Sequence, residues 1–185
     1  ASADQTIRIW DTATGQQAKS LAGHKGAVYS LRFSADDKQV VSAGADGIVR
    51  LWDVAAGTVA KQLTIEVAEG ETPTPLYDVA VSANGQLIAA SGQDKQIYIW
   101  TVATGQPGQT IASGTDPVYR LQFLPNGQLL SCGHAGTVTV WNPANGTEVF
   151  AAKSAAIAYS ATYSVSDKRV AVPSADGKTY FINLP

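Results

Sequence analysis

The chain has 185 residues, of which 45% are hydrophobic and 15% are charged, and its formal net charge at pH 7 is -2. This composition is typical of one globular domain and excludes a disordered chain. The small net charge and the lack of any run of Lys or Arg argue against nucleic acid as a partner. No apolar stretch is long enough to span a bilayer. We therefore expect a soluble chain without membrane insertion, and both a cytoplasmic and a bacterial periplasmic location remain open.

One cysteine, Cys132, occurs in the sequence, which excludes an internal disulfide and a cysteine-based zinc site. It ends the apolar stretch LLSC, which predicts a buried, inert thiol rather than a thiolate paired with His134. The His, Asp and Glu residues do not show the spacing of metal ligands, and the sequence contains no cofactor-binding motif. We therefore expect no metal and no cofactor.

Five similar segments follow one another along the chain. In chain order they read SADQTIRIWDTATG, GADGIVRLWDVAAG, GQDKQIYIWTVATG, GHAGTVTVWNPANG and SADGKTYFINLP. A tryptophan slot recurs in each segment, at Trp10, Trp52, Trp100, Trp141 and Ile182. These slots lie about forty residues apart, with one longer step between Trp52 and Trp100. A period of this length predicts a repeat architecture.

Each period reads as four short β-strands. In the second repeat AVYSLRFS and IVRLWDV alternate between apolar and polar residues, QVVSAG is a short apolar run, and TVAKQLTI follows as the fourth strand. The sequence shows no sustained apolar stripe with helical period, so we expect an all-β chain. The longer step contains EVAEGETPTP, Glu66 to Pro75, whose acidic, Gly and Pro residues predict an exposed loop.

This pattern resembles the WD40 (WD-repeat) family of β-propellers. The resemblance is carried by the pair Gly23 and His24, the strand VYSLRF, the Trp-Asp pairs beginning at Trp10 and Trp52, and a turn aspartate in four of the five repeats. The turn aspartates are Asp4, Asp46, Asp94 and Asp176. The resemblance implies a β-propeller of four-stranded antiparallel blades, with about four repeats of a larger ring present. The Ala-, Gln- and Thr-rich repeats look like the divergent repeats of bacterial members.

The strands of a WD40 blade are named a to d, and this register divides the chain into segments. The segments are a partial blade with strands c and d at 1–22, a blade at 23–66, a blade at 67–112 with an inserted loop at 66–75, a blade at 113–153, and a partial blade with strands a to c at 154–185. An open arc of blades leaves strand edges unpaired. We therefore expect that the chain is part of a larger ring or that a second copy completes the ring.

His24, Ser42, Asp46 and Trp52 are expected to meet in one blade through antiparallel strand pairing. In one interpretation, Ser42 is the nucleophile of a Ser/His/Asp catalytic site. The resemblance implies a structural tetrad instead, in which Asp46 accepts from the His24 ring, His24 faces the Ser42 hydroxyl, and Ser42 faces the Trp52 indole. We favour the tetrad, because a nucleophile has no use for an indole donor and Ser42 lies in an apolar run. The other repeats are incomplete, with Ala90 in the serine slot and Ala135 in the aspartate slot.

Tyrosine recurs in one slot near the start of strand a. The four members are Tyr29, Tyr77, Tyr119 and Tyr159. The resemblance places this slot at the rim of the central channel on the top face of the propeller, and it places Gln93, His134, Asp78 and Arg120 near the same face. Exposed tyrosines of this kind are enriched in binding interfaces. In the alternative interpretation, these tyrosines only pack against neighbouring blades and close the channel.

These observations predict a non-catalytic interaction scaffold that binds a peptide or protein segment on the top face. A second possibility is a rigid structural or sensor module beside other domains of a larger bacterial protein. A third possibility is a propeller enzyme with an active site at the channel mouth. We disfavour the enzyme, because the repeats supply mostly Tyr, Ala and Gln at that position rather than converging acids or metal ligands.

Overall fold

The computed structural model describes residues 1–67, 70–114, 116–154 and 156–184. In these ranges the secondary structure consists of seventeen β-strands and contains no helix. The described chain therefore has no helix that is long and apolar enough to cross a membrane. The strands form five antiparallel sheets that follow one another in chain order. The prediction of an all-β chain is confirmed.

The five sheets are built from strands that neighbour one another in sequence. The first sheet pairs β1 (Thr6–Trp10) and β2 (Gln17–Ala22). The second contains β3 (Val28–Phe33), β4 (Gln39–Gly44), β5 (Ile48–Asp53) and β6 (Thr58–Thr64). The third contains β7 (Leu76–Val81), β8 (Leu87–Gly92), β9 (Gln96–Thr101) and β10 (Pro107–Ala112). The fourth contains β11 (Val118–Phe123), β12 (Leu129–Gly133), β13 (Thr137–Trp141) and β14 (Glu148–Lys153). The fifth contains β15 (Thr162–Ser164), β16 (Arg169–Pro173) and β17 (Thr179–Asn183).

The hydrophobic core lies between successive sheets. Ile7 and Leu21 of the first sheet pack against Trp52 of the second. Three further clusters join the second sheet to the third, the third to the fourth and the fourth to the fifth. Four-stranded antiparallel sheets stacked in this way are consistent with the blades of a β-propeller, and the ring is not closed.

The position of a strand within its sheet explains its residue pattern. β4 lies between two partner strands and inside the stack of sheets, and its residues from Val40 to Gly44 are all buried. β6 lies at the outer edge of the same sheet and alternates between exposed and less exposed residues. A strand buried on both faces reads as an apolar run, and an edge strand with one solvated face alternates.

A β-bulge interrupts each of the strands β3, β7 and β11 near its first residue. The pairing register shifts there, so that one residue of each strand has no partner opposite it; these residues are Tyr29, Tyr77 and Tyr119. The bulges lie at the end of the sheets that carries the β4–β5, β8–β9 and β12–β13 turns. We call this end the top face. Bulges re-aim side chains, and here they present three tyrosines at the top face.

The longer step between repeats lies between β6 and β7. Residues 65–67 and 70–75 form no strand there, and most of them are exposed. Ala68 and Glu69, which belong to the predicted loop from Glu66 to Pro75, lie outside the described residues. Gly47 in the β4–β5 turn has a φ of 68° and approaches Pro73 so closely that a Cβ would lie 2.4 Å from the Pro73 side chain. The loop therefore passes over the top face of the preceding sheet.

Candidate functional site

Hydrogen bonds join the four predicted tetrad residues within the second sheet. The Trp52 indole Nε1 donates to Ser42 Oγ at 2.8 Å, and Ser42 Oγ lies 2.7 Å from His24 Nε2. His24 Nδ1 lies 3.0 Å from Asp46 Oδ1. The loop before β3 supplies His24, and β4, the β4–β5 turn and β5 supply Ser42, Asp46 and Trp52 respectively. The hydrogen bonds therefore tie two strands and two loops of one sheet together.

The tetrad is closed to solvent. Ser42 has 0% of its surface exposed and His24 has 5%. The Ser42 oxygen already accepts a hydrogen bond from Trp52 and faces His24, so its atoms are engaged within the sheet. A serine nucleophile needs access to a carbonyl substrate beside oxyanion donors. The burial of Ser42 argues against nucleophilic catalysis at this position.

Burial and hydrogen bonding set the charges of the tetrad. Burial lowers the pKa of His24 below its ordinary value, against the opposing effect of the Asp46 carboxylate. Burial alone would raise the pKa of Asp46, but hydrogen bonds from the Lys25 amide, Arg50 and His24 together hold that pKa below its ordinary value. At neutral pH the site therefore holds a neutral imidazole beside an ionised carboxylate.

Arg50 is a further member of this site that sequence reasoning missed. It is 2% exposed, and its Nη1 donates to Asp46 Oδ2 at 2.7 Å and also lies 2.7 Å from His24 Nδ1. The burial of Arg50 could have been predicted from the alternation of β5, because Arg50 precedes Trp52 by two residues and both side chains point to the same face of the strand. A buried arginine needs an ionised partner, and Asp46 supplies it.

The two following sheets hold different side chains at the same positions. In the third sheet the Tyr98 hydroxyl donates to Asp94 Oδ2 at 2.6 Å, and Ala90 occupies the serine slot. In the fourth sheet Trp141 Nε1 donates to Ser131 Oγ at 2.8 Å. Among the described sheets, the second is therefore the one in which hydrogen bonds connect all four residue types of the tetrad.

A row of tyrosine rings crosses the top face of four sheets. The ring centres of Tyr29 and Tyr77 lie 6.0 Å apart, those of Tyr77 and Tyr119 lie 5.6 Å apart, and those of Tyr119 and Tyr159 lie 6.0 Å apart. We call these four residues the aromatic row. Tyr29 is 49% exposed and Tyr159 is 61% exposed. Burial and the neighbouring tyrosines raise the pKa of Tyr77 in the middle of the row.

His134 and Gln93 occupy different positions relative to the aromatic row. The exposed His134 ring packs edge-on against Tyr119 at a centroid distance of 6.2 Å, and its Nδ1 lies 3.3 Å from the Tyr119 hydroxyl. Gln93 is exposed at the start of the β8–β9 turn. Cys132 is 1% exposed, its Sγ faces the Ala158 carbonyl at 3.8 Å, and burial raises its pKa to about 12. Cys132 therefore forms no pair with His134.

Asp78 links three sheets beneath the aromatic row. It is 3% exposed, and it accepts hydrogen bonds from the Ser30 hydroxyl and from Arg32 Nη2 on β3, the latter at 3.1 Å. On the other side, the Leu121 amide of β11 donates to Asp78 Oδ2 at 2.8 Å, and Arg120 Nη1 lies 3.6 Å from the same oxygen. Burial raises the pKa of Asp78, although Arg32 and Ser30 oppose the shift.

Clusters of metal-ligating side chains are absent from the described part of the chain. Within those residues, no group of three or more His, Cys, Asp and Glu side chains is placed to hold a metal ion. The chemistry that the described site offers is therefore aromatic contact and hydrogen bonding at the top face, above buried polar groups that bond to one another.

Segments of several WD-repeat proteins are similar to this chain. A segment of 41 residues is 49% identical to nuclear distribution protein PAC1 of Mycosarcoma maydis and covers 22% of this chain and 9% of that protein. A segment of 42 residues is 43% identical to mouse coronin-7 and covers 23% of this chain and 5% of that protein. A segment of 46 residues is 46% identical to human WD repeat and SOCS box-containing protein 1 and covers 24% of this chain and 11% of that protein. The chain thus matches a small part of each relative's length.

The family model described as "WD domain, G-beta repeat" matches the chain at residues 15–53, 65–101 and 105–142. The first and third matches begin near the outer strand of one sheet and end with the third strand of the next sheet. A sequence repeat of this family is therefore offset by one strand from the sheet that it helps to build. Because the three matches together cover more than half of the sequence, the chain belongs to the WD40-repeat family.

Proposed function

We propose that the chain is a non-catalytic scaffold that binds a peptide or protein segment through the aromatic row on its top face. WD40-repeat proteins generally bind other proteins, which supports an interaction role. The observation that carries the proposal is the unbroken series of ring contacts from Tyr29 to Tyr159, with both end members about half exposed or more.

The aromatic row suits binding for physical reasons. Tyrosine offers a rigid, amphipathic contact surface at low cost in side-chain entropy, and it is enriched among the residues that dominate interface energies. The bulges of β3, β7 and β11 hold three of the four rings on a rigid sheet rather than on a loop. A partner segment that lies along the row would meet hydroxyls and ring faces already arranged for contact.

Selection from a random-peptide display library tests this proposal. Peptides that bind the wild-type chain are measured against a Tyr29→Ala/Tyr119→Ala variant and against Phe33→Ala. Phe33 is a matched control, because it lies at the opposite end of β3 from Tyr29 and is 48% exposed. We expect the double variant to lose about tenfold or more in affinity, as expected for interface aromatics, and the control to bind normally.

A rigid module beside other domains remains the second candidate. In that case the tyrosines only pack on one another, so the double variant would melt at a lower temperature while peptide binding stayed equal in all three proteins. Equal binding would overturn the proposed interaction site. A thermal unfolding curve recorded on each variant separates a lost contact from a lost fold.

A further inference from the structure

The fourth sheet retains the inner pair of the tetrad and lacks its outer members. Ser131 and Trp141 occupy the positions that Ser42 and Trp52 hold in the second sheet, and the hydrogen bond between them has the same length of 2.8 Å in both sheets. The three large polar side chains of the second sheet correspond to small residues in the fourth. The corresponding pairs are His24 and Gly114, Asp46 and Ala135, and Arg50 and Thr139.

These small residues line a cavity of about 280 Å³ in the fourth sheet. Gly114, Ala135 and Thr139 contribute to its wall, and Ser131 lies in it as well. The cavity therefore coincides with the volume that the imidazole, carboxylate and guanidinium groups fill in the second sheet. Val118 and Gly133, the chain neighbours of Tyr119 and His134, also line it.

The cavity presents a hydrogen-bond donor and an acceptor. Ser131 Oγ accepts from the Trp141 indole, while the hydroxyl hydrogen of Ser131 has no acceptor among the described residues. The corresponding Ser42 hydroxyl faces His24 Nε2 at 2.7 Å. Thr139 is 5% exposed, and its hydroxyl makes no hydrogen bond to another described residue. Both residues line the cavity, so a ligand with one acceptor and one donor can form a hydrogen bond with each hydroxyl.

We propose that this cavity is a binding site for a neutral imidazole ring. One ring nitrogen accepts the Ser131 hydroxyl hydrogen, as His24 faces Ser42 in the second sheet, and the opposite N–H donates to the Thr139 hydroxyl. The ring lies near the Trp141 indole, as His24 lies near Trp52 with a centroid distance of 6.0 Å and ring planes tilted by 40°. The ring belongs to a small imidazole compound or to a histidine side chain of a partner. This proposal does not depend on the proposed function, because binding of free imidazole to the cavity can be measured without a protein partner.

Nuclear magnetic resonance titration with imidazole near pH 8 is the direct test. The probe signal is the Trp141 indole N–H, assigned by its loss in a Trp141→Phe variant, and the Trp52 indole N–H serves as the internal control. We expect saturable shifts of the Trp141 signal with the Trp52 signal unmoved. Asp116 and Glu148 also line the cavity, and a carboxylate would attract a protonated ring. The titration is therefore held near pH 8, where imidazole is mostly neutral.

Two variants separate this site from nonspecific binding. Ser131→Ala removes the donor, and Ala90 in the same slot beneath Trp100 shows that alanine suits the position; we expect at least tenfold weaker binding. Ala135→Asp/Thr139→Arg rebuilds the Asp46–Arg50 pair inside the cavity. Because His24 Nδ1 lies 3.0 Å from Asp46 in the second sheet, we expect the introduced carboxylate to accept from the ring N–H and to tighten binding. Unsaturable shifts, or equal affinity in the wild type and in either folded variant, would overturn the proposal and leave the cavity as a water-filled space.

A second titration identifies the source of the ring. Acetylhistidine amide carries the same ring on a peptide unit. Binding of this compound as tight as that of imidazole supports a histidine side chain of a partner. Binding of imidazole alone supports a small imidazole compound as the ligand, because the cavity then excludes a ring that is attached to a backbone.

Discussion

His24 Nε2 lies 2.7 Å from the hydroxyl oxygen of Ser42, and neither side chain is accessible to a substrate. The hydrogen bonds form a continuous chain through this contact: the Trp52 indole donates to Ser42, Ser42 is bonded to His24 Nε2, and His24 Nδ1 is bonded to Asp46. Each side chain serves as the hydrogen-bond partner of the next, so the removal of one member leaves its neighbours with one partner fewer. The three residue types of a hydrolase triad thus form a closed chain of contacts inside the sheet.

Replacement of His24 by alanine is expected to destabilise the protein. The change leaves the Ser42 hydroxyl and the Asp46 carboxylate with one partner fewer, which costs about 1 to 3 kcal/mol of unfolding free energy. Urea denaturation measures the loss. His134→Ala is the matched control, because His134 is the other histidine of the sequence and lies exposed; it is expected to unfold like the wild type.

A Ser42→Ala variant tests the catalytic interpretation. We expect Ser42→Ala to change stability without removing any hydrolysis of ester or peptide substrates, because Ser42 is fully buried. An esterase or peptidase activity that is present in the wild type and lost in Ser42→Ala would show that Ser42 is a nucleophile.

Stability is expected to fall on acidification in two steps. The folded pKa of His24 lies below the unfolded value of 6.5, so the unfolded chain binds the proton more readily and stability decreases as the pH falls below that value. The folded pKa of Asp46 lies below 3.8, so its contribution is present above that value and is lost at still lower pH. Denaturation of wild type and His24→Ala at about pH 7.5 and about pH 5 isolates the first step. A pH dependence in this interval that His24→Ala leaves unchanged would contradict the assignment.

The fold was predictable because its main signals repeat. The tryptophan slots, the turn glycines and the alternating strands recur about every forty residues, and Trp52 and Trp100 lie at buried positions of the structure. The pairing of Trp141 with Ser131 also follows from the register of the repeats. When a sequence feature occurs in several repeats, the copies can be compared with one another. Agreement among the copies supports a strand or turn assignment that one copy alone would not support.

Features of single sheets were harder to predict. The burial of Arg50 depends on the Asp46 carboxylate beside it, and sequence alternation gives the face but not the ion pair. The bulges that aim Tyr29, Tyr77 and Tyr119 follow from a local shift in strand pairing, which residue patterns do not record. The contact of Asp78 with both neighbouring sheets depends on how the sheets stack. Such relationships arise from tertiary packing rather than from local preference.

Removal of the Arg50 charge is expected to be strongly destabilising. Arg50→Thr leaves Asp46 buried without its guanidinium partner, and breaking one side of a buried pair costs about 3 to 5 kcal/mol. The double variant Arg50→Thr/Asp46→Ala carries the residues of the fourth sheet at these positions and is expected to recover part of the loss, because it leaves no buried charge. Urea denaturation of Arg50→Thr, Asp46→Ala and the double variant completes a mutant cycle. Additive losses would show that the two residues do not interact.

Two tryptophans in equivalent slots differ sharply in their environment. Trp52 is 1% exposed and packs between the first and second sheets, while Trp10 is 56% exposed. Trp52→Ala is expected to cost about 3 to 5 kcal/mol as a large truncation in the core, and Trp10→Ala is expected to cost under about 1 kcal/mol. Thermal or urea unfolding compares the two. Equal losses would show that the exposed Trp10 side chain is buried in solution.

Asp78 gives a test with the opposite pH dependence. Its folded pKa lies above the unfolded value of 3.8 because burial disfavours the charge, so the folded state binds the proton more readily and the contribution of Asp78 to stability improves as the pH falls toward 3.8. Asp78→Asn keeps the shape of the side chain and removes this titration. At neutral pH it is expected to lose about 1 to 3 kcal/mol, because an amide oxygen cannot accept from Ser30, Arg32 and Leu121 together.

The free-energy difference between the wild type and Asp78→Asn should therefore move in favour of the wild type on acidification. Urea denaturation of both proteins over a series of pH values measures this difference, and effects of His24 and Asp46 cancel because both proteins retain them. A difference that stays constant with pH would mean that Asp78 titrates at its ordinary pKa. The carboxylate would then be hydrated in solution rather than enclosed among β3, β7 and β11, and the three sheets would lack this buried link.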